Sequence, residues 1–251
     1  MILEKNFSNI KIILVEPNGP LNVGSVARLC SNFEVEELRI VSPKCDIFSL
    51  DAKKMALKGQ RYIDHCKIFD NLENAIIDCD LVIASCGRID VSKDSFFESS
   101  EDIFNSILSF KKINNLAIIF GREDRGLSNN ELLLANKIFN IPTSKNNPSL
   151  NLSHAVSIVL YELNKSSKRN FNINKELELF NLASSKQIHD SFVEIEEMLL
   201  GVGYLLKHTS RAKISKFKKF ILRANTSMHE INVLRGIVHQ INWFLNNSKR
   251  N

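Results

Sequence analysis

Apolar residues gather along the first two thirds of the chain in short blocks rich in Ile and Val: Ile10 to Val15, Leu38 to Val41, Leu81 to Ala84, Leu116 to Phe120 and Ile138 to Ile141. Short blocks dominated by apolar residues suit strands buried on both faces. Between most of them the apolar spacing becomes helical. Val23, Val26, Ala27 and Cys30 stand at i, i+3, i+4 and i+7, and Ser128-Asn-Asn-Glu131 has the spacing of a capping box. Strand alternating with helix predicts an α/β fold built on a parallel sheet with crossover helices. Lys67 to Phe69 is a candidate for one further short strand. A helix should run from about Asn151, with Leu152, Val156, Val159, Leu160 and Leu163 toward the core.

The pattern changes after Asn164. The stretch to Lys186 is polar and rich in Asn, Lys and Ser, and beyond it only helical spacing remains. Ile188, Phe192, Ile195, Leu199 and Val202 share one face, and so do Ile214, Phe217 and Ile221. Ile231, Leu234, Val238, Ile241 and Leu245 then step by 3, 4, 3, 4, as a helix-packing seam does. The expected organisation is a larger α/β unit at 1–164, a linker at 165–186 and a small all-helical C-terminal extension at 187–251. A length of 251 residues suits such an unequal pair.

Composition adds the class. With 44% hydrophobic and 24% charged residues the chain has enough apolar surface for a packed core, which excludes wholesale disorder. No apolar run reaches the ~18 residues of a membrane span. The N-terminus lacks the basic, apolar and small-residue succession of a signal peptide, so a cytoplasmic protein without membrane attachment is expected. Five cysteines, odd in number and without C-x-x-C, point to reduced thiols and away from a disulfide framework or zinc ribbon. The six histidines show no ligand spacing, so no metal is expected. The net charge of +5 is concentrated in the last quarter of the chain, where Lys207 to Arg223 carries seven basic residues and no acidic one. That is the footprint of a polyanion-binding face, although a solvated helix face would carry the same charges.

In a parallel sheet the ligand site lies beyond the carboxyl ends of the strands. Four segments there are rich in Gly, Pro, Ser or Asn: Glu16 to Ser25, Ser85 to Arg88, Gly121 to Leu127 and Pro142 to Asn151. Such residues bring backbone groups close to a ligand. Gly19 to Gly24 and Gly121 to Gly126 include widely spaced glycines, yet neither leads into the Lys-Ser or Lys-Thr of a P-loop, and no G-x-G-x-x-G follows a strand. Nucleotide triphosphate hydrolysis and dinucleotide-dependent redox chemistry are therefore disfavoured. Arg28, on the helix launched by the first of these loops, could hold a phosphate or stabilise an oxyanion. A solvent-facing helix arginine is the competing reading.

Taken together, three segments carry a resemblance. Pro20-Leu-Asn-Val-Gly-Ser-Val-Ala-Arg28, Ile118-Ile-Phe-Gly-Arg-Glu-Asp-Arg-Gly-Leu127, and Ile141-Pro-Thr with Ser149-Leu-Asn-Leu-Ser-His-Ala-Val156 resemble the three motifs of the SpoU branch of the SPOUT RNA 2′-O-methyltransferases. Leu199 to Tyr204, Phe220 to Ala224 and Glu230 to Ile237 are similar to the tail of the bacterial tRNA (cytidine/uridine-2′-O)-methyltransferases within that branch.

The resemblance implies a deep trefoil knot at the C-terminal part of the α/β unit, S-adenosylmethionine as methyl donor, a homodimer, and tRNA as substrate. The methylated ribose would be that of cytidine or uridine 32 in the anticodon loop. Carried over by position, Ser85, Cys86, Gly87, Gly121, Ile141, Pro148, Ser149 and Leu150 would line the cofactor pocket. Arg28 matches the catalytic arginine, with Asn22, Glu123, Ser149 and Asn151 at the other motif positions. Arg28 and Arg122, with Lys213, Lys216, Lys218, Lys219 and Arg223 of the extension, are the candidate RNA contacts. Glu34 stands where glycine is usual, and a side chain in a left-handed cap costs ~1 kcal/mol. Alternatives within reach of the same residues are an rRNA ribose methyltransferase of this branch and a non-catalytic RNA-binding protein that keeps the fold.

Overall fold

The computed structural model describes residues 9–87, 97–99, 103, 104, 107, 113–144, 146–169, 183–224 and 226–248. The apolar blocks become strands β1 (Ile10–Val15), β2 (Glu37–Val41), β3 (Lys67–Phe69), β4 (Leu81–Ser85), β6 (Leu116–Phe120) and β7 (Lys137–Asn140), with β5 (Phe97–Ser99) beside them. All pairings are parallel, in the order β3-β2-β1-β6-β4-β7-β5. Strand β5 has no counterpart among the sequence expectations. Its three residues include Phe97, but Phe96 and Phe97 are the sole apolar pair in a polar stretch from Ser92 to Asp102, too short to read as an apolar block, and among the described residues the strand pairs with β7 at the sheet edge.

Alternation along β1 sends Ile12 and Leu14 to one face of the sheet and Ile13 and Val15 to the other, and both faces are covered. The first face packs on α1 (Pro20–Asn32), α2 (Leu50–Ala56), α3 (Gln60–Asp64) and α6 (Leu152–Arg169). The second packs on α4 (Leu72–Ala75) and α5 (Asn129–Leu132). Helix α1 buries Val23, Val26, Ala27 and Cys30 as its spacing requires. It approaches α2 so closely that a Cβ on Gly24 would stand 2.3 Å from the Ala52 carbonyl oxygen. The turn after α1 holds Glu34 at φ +53°, the left-handed conformation expected there. The predicted capping box at Ser128 and Glu131 opens α5.

Two buried cations are matched where the strands begin. Lys11 donates to Glu36 at 3.1 Å and to Asn115 at 2.7 Å. Arg39 holds both oxygens of Asp78, at 2.6 and 2.7 Å, and also reaches Glu37. The hydrogen bonds from Arg39, opposed by partial burial, hold the Asp78 carboxyl down at about 2. All five cysteines are free thiols, and burial raises those of Cys30 and Cys79.

The C-terminal helices are α7 (Ser185–Gly201), α8 (Ser210–Arg223) and α9 (Met228–Ser248). Capping boxes start α7, through Ser184 and Gln187, and α9, through Ser227 and Glu230. Ile188, Phe192, Ile221, Leu222 and Ile231 are buried between the helices, with Phe192 edge-on to Phe217 at 5.3 Å. The linker expected at 165–186 is narrower than its composition suggested. Helix α6 continues to Arg169 and α7 begins at Ser185, because Ser and Lys tolerate a helix that packing has already nucleated; residues 170–182 lie outside the described set. The extension also touches the sheet unit directly, the Ser185 amide donating to the Cys79 carbonyl at 3.0 Å. Among the described residues no helix is long and apolar enough to cross a membrane.

Candidate active site

Loops after β4, β6 and β7 meet beyond the carboxyl ends of those strands and enclose a cleft of about 250 Å³. Ser85, Cys86 and Gly87 form one wall. Gly121 to Leu127 form the second. Ile141, Pro148, Ser149 and Leu150, with Leu152 and Ala155 from α6, form the third. All eight residues assigned to a cofactor pocket on sequence grounds thus line one cleft. The backbone is tied down on each side: the Cys86 amide donates to the Phe139 carbonyl at 2.9 Å, Asn140 Nδ2 to the Cys86 carbonyl at 2.8 Å, and Thr143 Oγ1 to the Pro148 carbonyl at 2.9 Å. Gly121 has no room for a side chain, since a Cβ would lie 2.3 Å from the Gly126 carbonyl carbon and the Leu127 nitrogen. Gly126 turns the loop at φ +66°.

A chain of polar groups begins in this cleft. Glu123 accepts from the amides of Asn18, at 3.0 Å, and Gly19, at 3.2 Å, which lead into α1. It also accepts from Asn22 Nδ2 at 2.9 Å. Asn22 Oδ1 in turn accepts from Asn151 Nδ2 at 3.0 Å, and Asn151 Oδ1 accepts from the Ser153 amide and hydroxyl at 3.0 and 2.7 Å. Three motifs more than a hundred residues apart at their extremes are joined by one relay. The carboxylate also complements the positive end of α1.

Not every candidate joins them. Arg122 is committed elsewhere: its guanidinium grips both oxygens of Glu131 at 2.9 Å each and Glu16 at 2.7 Å, with its side chain only 10% exposed. Arg122, expected as an RNA contact, is held here by two carboxylates as a brace of the Gly121–Leu127 loop. Its hydrogen bond, working against desolvation, lowers the Glu16 carboxyl. For Glu131, desolvation is the larger influence, yet the bonds from Arg122 and Ser128 outweigh it and the group is lowered as well. Sequence reasoning missed both acids as partners of Arg122. The capping-box spacing had marked Glu131, but for its helix role alone.

Arg28 is exposed, lies about 9 Å along α1 from Asn22, and its guanidinium has no hydrogen bond or ion pair among the described residues. Ser149 is exposed at the cleft wall. On α8, Lys213 and Lys216 are exposed, whereas Lys218 is half-buried in a crevice with Glu73, Ile77 and His189. Desolvation lowers its ammonium, offset in part by Glu73, so the expectation of a free Lys218 is not met. The side chains of Lys219 and Arg223 lie outside the described set. Among the described residues no group of three His, Cys, Asp or Glu could hold a metal ion.

Comparison with known proteins gives a consistent set. Residues 9–161 match the model of the SpoU rRNA Methylase family. Over 156 residues the chain is 42% identical to the tRNA (cytidine-2′-O-)-methyltransferase TrmJ of Sulfolobus acidocaldarius, a match that covers 61% of this chain and 64% of that relative, just under two thirds of its length. Identity to the tRNA (cytidine/uridine-2′-O-)-methyltransferase TrmJ of Photorhabdus laumondii is 30% over 236 residues, covering 93% of this chain and 96% of the relative. The crystal structure of TrmJ from Z. mobilis ZM4 superposes with a TM-score of 0.79 at 25% identity, over 92% of this chain and 98% of the other.

Proposed function

This chain belongs to the SpoU methylase family, and from that premise we propose that it transfers a methyl group from S-adenosylmethionine to the ribose 2′-hydroxyl of tRNA, at cytidine or uridine 32 of the anticodon loop. The observation that carries the reading is the relay Glu123–Asn22–Asn151, which begins in a cleft lined by all eight candidate cofactor residues. An inactive descendant would have no reason to keep three polar residues matched in this way.

The cleft suits the proposed cofactor. Leu127, Ile141, Leu150 and Leu152 offer apolar walls for an adenine ring, and Gly87 and Gly121 let backbone come close. Glu123 and Asp124 on the same wall complement a sulfonium cation. When bound, S-adenosylmethionine supplies an electrophilic methyl group. The protein's own task is placement, which supplies much of the acceleration in a displacement of this kind. Glu123 and Asn22 fix the start of α1, and with it Arg28. A guanidinium stays protonated in proteins, so Arg28 acts as an orienter of the ribose phosphate and a stabiliser of the developing alkoxide, with the proton leaving to water.

In the same reading residues 1–164 form the catalytic unit, with a deep trefoil knot at its C-terminal part, and residues 187–251 form a tRNA-binding extension. The family match over residues 9–161 is what supports the knot. The chain works as a cytoplasmic homodimer. The test is to incubate the purified protein with methyl-labelled S-adenosylmethionine and with tRNA or rRNA fragments, followed by nucleoside mass spectrometry and mapping of the modified ribose. Label in 2′-O-methylcytidine or 2′-O-methyluridine at tRNA position 32 is expected. Label confined to rRNA, or to a base, would overturn the proposal.

A further inference from the structure

The turn between α7 and α8 carries a large aromatic ring in water. Tyr204 is 65% exposed, yet its backbone is firmly held. The amides of Tyr204 and Leu205 both donate to the Leu199 carbonyl, at 3.0 and 3.1 Å, Gly203 supplies the left-handed step at φ +77°, and Leu205 is buried beneath. Lys213 of α8 sets its ammonium over the ring, 5.0 Å from the centroid. One face is thus occupied by a cation, and the exposure leaves the other to solvent. Lys207, His208 and Arg211, three to seven residues further along the chain, are exposed, in a stretch without a single acid from Lys207 to Arg223.

An exposed ring on a held turn, backed by one cation and followed in the chain by other exposed cations, fits an unpaired nucleotide: the base covers the open π-face while its phosphates meet the cations. We propose that Tyr204 is a stacking platform for an unpaired base of the RNA substrate, with Lys213 backing the ring and Lys207 and Arg211 engaging the flanking phosphates. This rests on the tRNA reading above and adds a contact to it that is not electrostatic. Stacking tolerates any base, so the platform contributes affinity and placement and leaves the choice of nucleotide to the cleft.

Stacking and phosphate contacts respond differently to salt. Loss of a stacked base displaces log K by a constant amount, whereas loss of a phosphate contact changes its slope against log salt by roughly 0.7 to 0.9. Binding of unmodified tRNA by the full chain should be measured at several salt concentrations for wild type, Tyr204→Phe, Tyr204→Ala and Lys207→Gln, with melting temperature as the folding control. Tyr204→Ala should weaken binding about ten-fold at every salt concentration with the slope unchanged, in line with alanine substitutions at known stacking residues. Tyr204→Phe should bind like wild type, and Lys207→Gln should flatten the slope. Equal binding by Tyr204→Ala and wild type, or equal losses for Phe and Ala, would overturn the platform. A wild type that methylates tRNA while Tyr204→Ala binds normally sinks this inference alone. A wild type that binds tRNA through Tyr204 without methylating it sinks only the activity, and one that fails to bind tRNA sinks both.

Discussion

Arg28 and Glu123 sit 6 and 101 residues from Asn22 in sequence, and they divide its work: one is exposed, with no side-chain partner among the described residues, and the other fastens the loop. Arg28→Ala should therefore lower kcat on tRNA by roughly 100-fold or more, the scale of a lost oxyanion contact, while calorimetry finds S-adenosylmethionine binding within about two-fold of wild type. Retention of most of the turnover would place the chemistry elsewhere. Asp78 gives a test away from the site. Its folded-state value of about 2 lies below the ~3.9 of an unfolded aspartate, so the bond to Arg39 stabilises the fold above that range and ceases to as pH falls toward 2. Asp78→Asn should cost on the order of 1 kcal/mol near neutrality, a modest figure because Asp78 is half exposed, and thermal melts of variant and wild type should converge by about pH 2. At this scale the motif residues were legible because their loops are compositionally unusual. The partner of Arg122 was not, since Glu16 lies 106 residues away and nothing local marks the pair.

Elements were read best where burial is two-sided. Strands β1 and β6 match their apolar blocks residue for residue, and α1 and α6 bury the expected positions, because a parallel sheet covered on both faces demands predominantly apolar sequence. Strand β5 and the last turns of α6 escaped for the opposite reason: an edge strand and a helix tail need only backbone pairing or continuation. The loop from Gly121 to Leu127 shows how tightly an irregular element can be specified. Gly121→Ala forces a methyl group into the backbone at Gly126, a kind of overpacking that costs ~1–3 kcal/mol. Affinity for S-adenosylmethionine, measured by calorimetry with EDTA present, should fall about ten-fold or more while the circular dichroism of the sheet is kept. Unchanged affinity would remove this loop from the pocket.

For the whole molecule, exposed Leu21 and Leu50, on helices that cover the same sheet face, are the apolar surface a second copy would cover in the proposed dimer. Sedimentation at micromolar concentration should give about twice the 28.6 kDa of one chain; a monomer alone would count against the dimer. The proposed threading of the chain rests on the family resemblance and not on periodicity, which reports which face is buried and carries no record of the order in which segments pass one another. The relay that joins Asn22 to Asn151 has a bearing on time. Its two ends are 129 residues apart, and Glu123 reaches Gly19 across 104. On the ribosome, β1 and α1 emerge and wait while most of the sheet is still being synthesised. Closing so long a loop is slow compared with forming the local helices. The competence of this protein therefore arrives at the end of its folding, and a chain released before α6 has docked is one that holds a sheet but no place for chemistry.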